Sequence, residues 1–138
     1  MALEIREHTQ DGVVILALRG RLTMGDEVEA FRERVRTTFE AGHRWVAIDG
    51  AALDYIDSSG LGMLVYCHSK MAHDGGALHL FHLNERNLQL MIITKLTTVF
   101  ELFDDEQQAI NSFFPERSVR KFDIMAFVEQ QRKRKAGA

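Results

Sequence analysis

The sequence predicts an α/β fold in which helices alternate with the strands of a mixed, mostly parallel sheet. Three short, mainly apolar runs have the length of buried strands, namely Val13–Leu18, Trp45–Asp49 and Ala77–Phe81. Two longer segments between them carry apolar residues at helical spacing, from Asp26 to Ala41 and from Ser58 to about Asp74. Strands that alternate with helices pair mainly in parallel, because each helix returns the chain to the starting end of the sheet.

The N-terminal segment is predicted to add an edge strand. Apolar Leu3 and Ile5 alternate with charged neighbours as far as Glu7, which is typical of a strand with one wet face. The Asp-Gly pair at Asp11 and Gly12 is a strong signal for a hairpin turn. We therefore expect the first two strands to form a hairpin.

Capping residues and chain breakers define the remaining elements. Gly42 is a good C-terminal cap for the first helix, and the glycine pair 75–76 ends the second. Leu53–Ile56 leads the chain into the second helix. After the strand at residues 77–81 we expect a helix that is capped by Asn84 and runs through Lys95, with Leu88, Met91, Ile92 and Leu96 on its inner side. A short strand at Thr98–Leu102 is expected next. The last predicted helix of the domain runs from Asp105 to Phe114 and is stopped by Pro115.

Residues 1–114 form the predicted α/β domain, and residues 115–138 form a basic C-terminal helical extension. Residues 116–138 carry seven Lys and Arg against three Asp and Glu, so a charge of +4 there contrasts with −7 on the body. Asp123 can cap a helix whose apolar positions are Ile124, Phe127 and Val128 and whose basic end is the run 132–135. The preferred interpretation is a helix docked on the domain; contact with an acidic partner or a membrane surface is the alternative.

Composition limits the class of protein. At 138 residues the chain can bury its own core without metals or disulfides. The single cysteine, Cys67, excludes a disulfide framework and favours a reducing compartment. The N-terminus lacks the pattern of a signal peptide, and no apolar run approaches the ~18 residues of a membrane span. We therefore expect a cytoplasmic protein, and its acidic body argues against direct binding of nucleic acid.

One stretch joins a predicted strand to a helix start and contains Asp57, Ser58, Ser59, Gly60 and Gly62. Aspartate and serine are helix-capping residues, so the helix is predicted to begin at the serines. The free N–H groups and aligned dipoles of a helix start favour an added anion, such as a phosphate on a serine. The two glycines reduce helix propensity, which suggests an open surface that a partner can approach closely.

The sequence Asp-Ser-Ser-Gly-Leu-Gly at residues 57–62 resembles the signature of the STAS domain, the fold of bacterial anti-sigma factor antagonists. The likeness extends from about Leu3 to Phe114 in the order of elements and in length. The resemblance implies a STAS fold and a binding switch controlled by phosphorylation. In such a switch Ser58, the first serine of the pair, accepts phosphate from a partner kinase that is also the anti-sigma factor, and a serine phosphatase would reverse the step. The domain itself would need no cofactor and catalyse nothing.

The resemblance also implies that the loop around Thr23 lies beside the phosphoacceptor loop. The family usually has an aspartate at this position, so Thr23 removes a negative charge that bears on kinase contact. The predicted partner-binding residues are Gly20, Leu22, Thr23, Asp57, Ser58, Ser59, Gly60, Leu61 and Gly62.

Two alternatives to the switch remain open. Asp57, Ser58 and Ser59 could serve only as helix caps, worth ~1 kcal/mol. A STAS domain could also be a constitutive scaffold or subunit of a transport or sensory complex whose serine is never modified. A phosphoserine in protein from its own host would distinguish the switch from the scaffold.

Enzymatic and metal chemistry are disfavoured by spacing. Ile56 stands where the Gly-x-Ser-x-Gly elbow of a serine hydrolase needs glycine. His68 and His73 are five residues apart, which does not put them on one helical face, and no His-Glu-x-x-His sequence occurs. The glycines do not have the spacing of a phosphate-binding P-loop.

Overall fold

The computed structural model describes residues 3–137 and contains a five-stranded mixed sheet in the order β1-β2-β3-β4-β5. The strands are β1 (Leu3–Gln10), β2 (Val13–Leu22), β3 (Trp45–Ile56), β4 (Ala77–Phe81) and β5 (Leu102–Phe103). Among these described strands, only β1 runs antiparallel to its neighbour, and the other three pairings are parallel. The predicted α/β class with mostly parallel strands is confirmed.

A two-residue turn joins β1 to β2. Asp11 and Gly12 both have positive φ, 54° and 80°, and Gln10 pairs directly with Val13. Such turns match the twist of the flanking strands, and Asp-Gly is a preferred pair for them because both positions need φ > 0. The predicted hairpin is confirmed.

Residues 3–137 form five α-helices. They are α1 (Asp26–Glu40), α2 (Ser58–His73), α3 (Glu85–Ile93), α4 (Glu106–Asn111) and α5 (Ile124–Gly137). The crossover between two parallel strands is almost always right-handed. When each new strand is added on the same side of the previous one, the connecting helices therefore lie on the same face of the sheet. Accordingly α1, α2 and α3 all pack on the larger core, and α4 covers the opposite face.

The core is divided by the sheet into two apolar clusters. The larger one joins alternate residues of the inner strands, such as Leu16 and Ile48, to Phe31 of α1 and to Leu64 and Met71 of α2. The smaller one lies under α4 and contains Val13, Ile15, Ala47, Phe81, Phe103, Ala109, Ile110 and Phe113. Because both faces of β2 are covered, its first half is a continuous apolar run rather than an alternating one.

Two predicted elements near the C-terminus have different bounds in the structure. The helix that follows Asn84 ends at Ile93 instead of Lys95, and Lys95 has a left-handed φ of 62°. The predicted strand at 98–102 is instead a 3-10 turn, Leu96–Thr98, followed by a strand of only two residues, β5. Threonine hydroxyls explain part of this difference, since Thr98 Oγ1 bonds the Lys95 carbonyl at 2.8 Å and so stabilises a turn at a β-branched position.

The last helix of the domain is also shorter than predicted. Helix α4 ends at Asn111 rather than Phe114. The Ser112 hydroxyl donates to the Ala109 carbonyl at 2.5 Å, and Phe114 precedes a proline, which disfavours helical backbone at that position.

The C-terminal extension forms a helix that docks on the domain. Asp123 Oδ1 caps α5 by accepting from the Ala126 N–H at 2.9 Å, and Phe122 and Phe127 are half-buried against the larger core. The Phe122 N–H donates to the Leu102 carbonyl of β5 at 2.9 Å. Two polar contacts join α5 to α3, Gln89 Nε2 to Gln131 Oε1 at 2.6 Å and Arg134 Nη1 to Glu85 Oε2 at 2.8 Å. Within residues 3–137, none of the helices has the length and hydropathy to cross a membrane.

Candidate functional site

The site forms where β2 and β3 end at the same edge of the sheet. Leu22 pairs with Ile56, so the segment after β2 and the turn after β3 leave the sheet side by side. Gly20 and Leu22, which lie beyond the predicted strand end at Leu18, belong to β2 itself, and Gly20 pairs with Leu53. In parallel sheets, binding loops collect at the carboxyl ends of the strands, which is where this site lies.

Asp57 connects three segments at this edge. It is the N-cap of α2, and its Oδ1 accepts from the Gly60 N–H at 2.8 Å. Its Oδ2 accepts from the Met24 N–H at 2.9 Å, and its own N–H donates to the Leu22 carbonyl at 3.3 Å. The Met24 and Gly60 N–H groups lower the pKa of this carboxyl below its usual value, so Asp57 is ionised at neutral pH. Asp57 therefore holds the loop before α1 against the start of α2.

Ser58 is the first residue of α2 and is exposed, whereas Ser59 is half-buried. Among residues 3–137, neither serine hydroxyl has a hydrogen-bond partner, because Asp57 alone caps the helix. The alternative in which both serines are caps is therefore wrong, although the helix does begin at Ser58 as predicted. The Ser58 hydroxyl lies free at the positive end of a helix of 16 residues.

Gly60 and Gly62 have different roles. Gly60 is buried, and a Cβ placed there would overlap the Leu22 carbonyl oxygen. The prediction that Gly60 keeps the surface open is therefore wrong: this glycine lets α2 pack against the end of β2. Leu22 is also fully buried, so it contributes a carbonyl to the site rather than a side chain. Gly62 is exposed, and a Cβ there would have no atom within 4 Å, which agrees with the open surface that the sequence suggested.

Thr23 in the loop before α1 makes two polar contacts, and the next residue, Met24, is apolar and exposed. The half-buried Thr23 donates its hydroxyl to Glu27 Oε1 at 3.3 Å, and its carbonyl accepts from the Val28 N–H at 3.2 Å. A carboxylate therefore lies beside Thr23 although the residue is uncharged. Met24 is 73% exposed, and Leu61 on α2 is half-buried. Sequence reasoning missed Met24 because a single methionine next to a glycine has no periodicity that separates surface from core.

A histidine and a serine meet on the opposite side of the sheet, and their hydrogen bonds oppose nucleophilic chemistry. His79 Nδ1 is 2.7 Å from Ser112 Oγ. The hydroxyl donates its only proton to the Ala109 carbonyl, so the histidine must donate to the serine oxygen rather than accept from it. A general base must accept that proton, so the pair has the wrong polarity for activating a serine. Burial lowers the pKa of His79 to about 4, and Phe113 stacks on its ring with centroids 4.3 Å apart.

No other cluster in the described part of the chain resembles a metal or redox centre. Among residues 3–137, no group of three or more His, Cys, Asp and Glu side chains could hold a metal ion. Cys67 is buried in α2, and burial raises the pKa of its thiol to about 12, which makes it a small core side chain.

Comparison with known proteins identifies the family. The family model of the STAS domain matches residues 4–109, and the chain belongs to this family. The match includes residues of all five strands, reaches into α4 and contains the polar turn at Asp57 and Ser58.

Solved structures with the same fold include anti-sigma factor antagonists. One, from Mycobacterium paratuberculosis, has a TM-score of 0.71 at 18% identity and covers 80% of this chain and 92% of its own. The anti-sigma factor antagonist SpoIIAA in its unphosphorylated form has a TM-score of 0.68 at 19% identity, covering 85% of this chain and 100% of its own. The phosphorylated form of SpoIIAA, described as a Bacillus cell fate determinant, has a TM-score of 0.62 at 19% identity, with 81% and 99% covered. No curated protein sequence matches the chain.

Proposed function

We propose that this protein is an anti-sigma factor antagonist that acts as a phosphorylation-controlled partner switch. With Ser58 unmodified it binds an anti-sigma factor that is also a serine kinase, and so frees the sigma factor for transcription. Phosphorylation of Ser58 ends the complex, and a serine phosphatase restores it. In this proposal the domain works by binding alone, in the bacterial cytoplasm, without cofactor or nucleic acid.

The observation that carries the proposal is the free Ser58 hydroxyl at the exposed start of α2. Its position is fixed by Asp57, which caps the helix and ties it to the Met24 loop, so a kinase meets a preformed turn. The kinase would transfer the γ-phosphoryl group of ATP to Ser58 Oγ, while the hydroxyl proton passes to a base of the kinase and ADP leaves. Hydrolysis by the phosphatase would return serine and inorganic phosphate.

The added phosphate acts by charge at a rigid surface. It brings roughly −1.5 to −2 charges and three acceptor oxygens to a site where Asp57 is already ionised. The dipole of α2 favours the phosphate within the protein, so no refolding is required. An acidic group on the partner that faces Ser58 would be repelled, and such like-charge contacts cost several kcal/mol.

Thr23 affects the charge of the surface that the kinase would contact. The family usually has an aspartate at this position. Here the Thr23 hydroxyl donates to Glu27, and we propose that Glu27 supplies the negative charge instead. Together with the exposed residues Ser58, Gly62 and Met24, this edge forms the proposed partner surface, for which Gly60 and Leu22 supply packing from below.

Variants of the two serines test the switch. Ser58→Ala should bind the anti-sigma partner like the unmodified protein and resist phosphorylation, because the hydroxyl makes no hydrogen bond that the variant would lose. Ser58→Asp should bind more weakly, and phosphorylated wild type more weakly still, because a carboxylate carries less charge than a phosphate. Copurification from the host identifies the partner, and calorimetry with that purified partner measures the affinities.

Ser59→Ala is the matched control and should leave phosphorylation largely intact. Phosphate mapped to Ser59 instead of Ser58 would refute the choice of acceptor. If no kinase modifies either serine and Ser58→Asp binds as tightly as wild type, the switch is refuted and the constitutive scaffold takes its place.

A further inference from the structure

Helix α2 presents a line of exposed positions that begins at Ser58. Ser58, Gly62 and Tyr66 follow at intervals of four residues and therefore lie on one face of the helix. Ser58 and Gly62 are exposed, and Tyr66 is 48% exposed. A large aromatic side chain that remains half in water on such a line is typical of a contact residue, since tyrosine is enriched at protein interfaces.

Gly62 makes a depression in the middle of this line. A Cβ at Gly62 would meet no atom within 4 Å, so nothing inside the protein requires a glycine there. The residue nevertheless costs the helix up to about 1 kcal/mol relative to alanine. Ser58 and Tyr66 border the depression, and another backbone or side chain can approach α2 most closely between them.

Tyr66 also borders a groove of about 390 Å³ between α1 and α2. Apolar side chains line the floor, including Val35, Phe39 and Met71. Among the cations at the rim, Lys70 is held by Asp74 at 3.2 Å, and Arg36 is held by Glu40 at 2.6 Å. Arg32 is held less tightly.

Arg32 is the cation at this groove with capacity for a new ion pair. Its guanidinium lies 5.9 Å from the centroid of the Tyr66 ring, and its contact with Glu29 is 3.8 Å long. Both groups of that pair are well exposed, so the pair contributes little to stability. An apolar groove beside an available guanidinium is complementary to an apolar side chain with a nearby carboxylate.

The groove and Ser58 lie close enough for one partner to cover both. Eight residues of helix separate Ser58 from Tyr66, which is roughly 12 Å at 1.5 Å per residue. A standard interface covers about 800 Å² on each partner and is wider than this distance. The same 12 Å exceeds the Debye length of about 8 Å at physiological salt, so charge added at Ser58 is largely screened at Tyr66.

We propose that the partner that docks at Ser58 lays an amphipathic helix along α2, with an apolar side chain over Gly62 against Tyr66 and a carboxylate facing Arg32. This inference rests on the proposed function and adds to it a second contact that phosphorylation does not reach. The phosphate then opposes binding at the Ser58 end of the interface, and the Tyr66 contact contributes to the affinity for the partner without being part of the switch. Helices that dock in apolar grooves are a recurrent mode of recognition, which fits the shape of this surface.

The test compares point variants by calorimetry with the purified anti-sigma partner identified in the Ser58 experiment. Tyr66→Ala should weaken binding about tenfold or more, as loss of a central aromatic contact does. Gly62→Leu should weaken it to a similar extent while the helix remains folded, because leucine has the higher helix propensity. Arg32→Glu should also weaken binding. Ile93→Ala, which alters a 78%-exposed apolar residue on α3, is the matched control and should change the affinity less than about twofold.

The double variant Ser58→Asp with Tyr66→Ala gives a sharper criterion. Two sites more than about 10 Å apart that touch different residues of the partner act nearly independently, so the two losses of affinity should multiply. If wild type binds the partner and Tyr66→Ala and Gly62→Leu bind equally well, the helix-docking inference is overturned and the switch stands. Failure of wild type to bind an anti-sigma partner refutes the proposed function instead. A wild-type dimer in sedimentation that Tyr66→Ala dissociates would assign this surface to a second copy of the chain and also overturn the inference.

Discussion

Asp57 is the residue on which the geometry of the site depends most. Its two carboxylate oxygens accept from N–H groups that belong to different segments, Gly60 in α2 and Met24 before α1. The sequence predicted a cap near this position from residue type alone. It could not predict the bond to Met24, because that bond spans 33 residues and depends on the pairing of β2 with β3.

The two glycines of the turn show the limit of residue-level reasoning. Both glycines have low helix propensity, so the sequence suggests the same reason for their presence in the helix. Only the packed structure separates Gly60, which faces the Leu22 carbonyl, from Gly62, which faces open space. A missing side chain therefore indicates a requirement for space without telling whether the protein or a partner occupies it.

We predict that Gly60→Ala destabilises the fold, whereas Gly62→Ala does not. A Cβ at Gly60 overlaps backbone that cannot rotate away, and overpacking of this kind costs about 1 to 3 kcal/mol. Alanine at Gly62 should be neutral or should stabilise by up to about 1 kcal/mol. Urea unfolding of the two variants measures both effects. Equal stability of Gly60→Ala and wild type would contradict the close packing of α2 on β2.

Long periodic segments were predictable from the sequence, and short ones were not. The sixteen residues of α2 and the fifteen of α1 have apolar residues in register with a helix, and both were predicted within about one residue. β5 has two residues, which are too few for a pattern, and its position is set by pairing of Leu80 with Leu102 and Phe81 with Phe103. The local preference of 98–102 for a strand was overridden by that tertiary pairing.

Helix α5 has a predicted thermodynamic role. A chain that ends after Asp123 lacks this helix and should lose about 1 to 3 kcal/mol, because Phe127 and its half-buried neighbours no longer cover apolar surface next to α3. Thermal and urea unfolding of the truncated and full chains measure the loss. Arg134→Ala is the control for the polar contact and should cost less than 1 kcal/mol, since the pair with Glu85 is exposed. An unchanged melting temperature on truncation would mean that α5 does not dock in solution.

The order of the strands in the sheet follows from few rules. A hairpin fixes the first pair of strands, and short right-handed connections place each later strand beside its predecessor. The sequence pattern alone predicted the α/β class, and the family signature at residues 57–62 predicted the particular fold. The sequence did not predict that α4 covers the second face of the sheet. The side on which the chain leaves β5 depends on the packing of Phe113 and Ile110.

Global stability should fall in mild acid because of His79. Burial lowers its pKa from 6.5 to about 4, so between these values the unfolded chain binds a proton that the folded chain does not. The stabilising contribution is complete above pH 6.5 and declines as the pH falls, at up to about 1.4 kcal/mol for each pH unit. Urea unfolding between pH 7 and 4 measures the slope for wild type and His79→Phe.

The variant keeps an aromatic ring on Phe113 and removes the titrating group, so its stability should vary less across this range. His73→Gln, on the exposed end of α2, is the control and should follow wild type. Identical slopes for wild type and His79→Phe would show that His79 titrates equally in the folded and unfolded chains.

The hydrogen bond from the Phe122 N–H to the Leu102 carbonyl affects how easily the sheet can pair with a second molecule. A sheet with a free border can recruit the border of a neighbouring molecule and so begin aggregation. Here one border, β1, carries the exposed charges of Glu4, Arg6 and Glu7. The other border is only two residues long, and the segment leading to α5 already occupies its Leu102 carbonyl. The extension beyond the family domain thus covers part of the border that a second molecule could otherwise pair with.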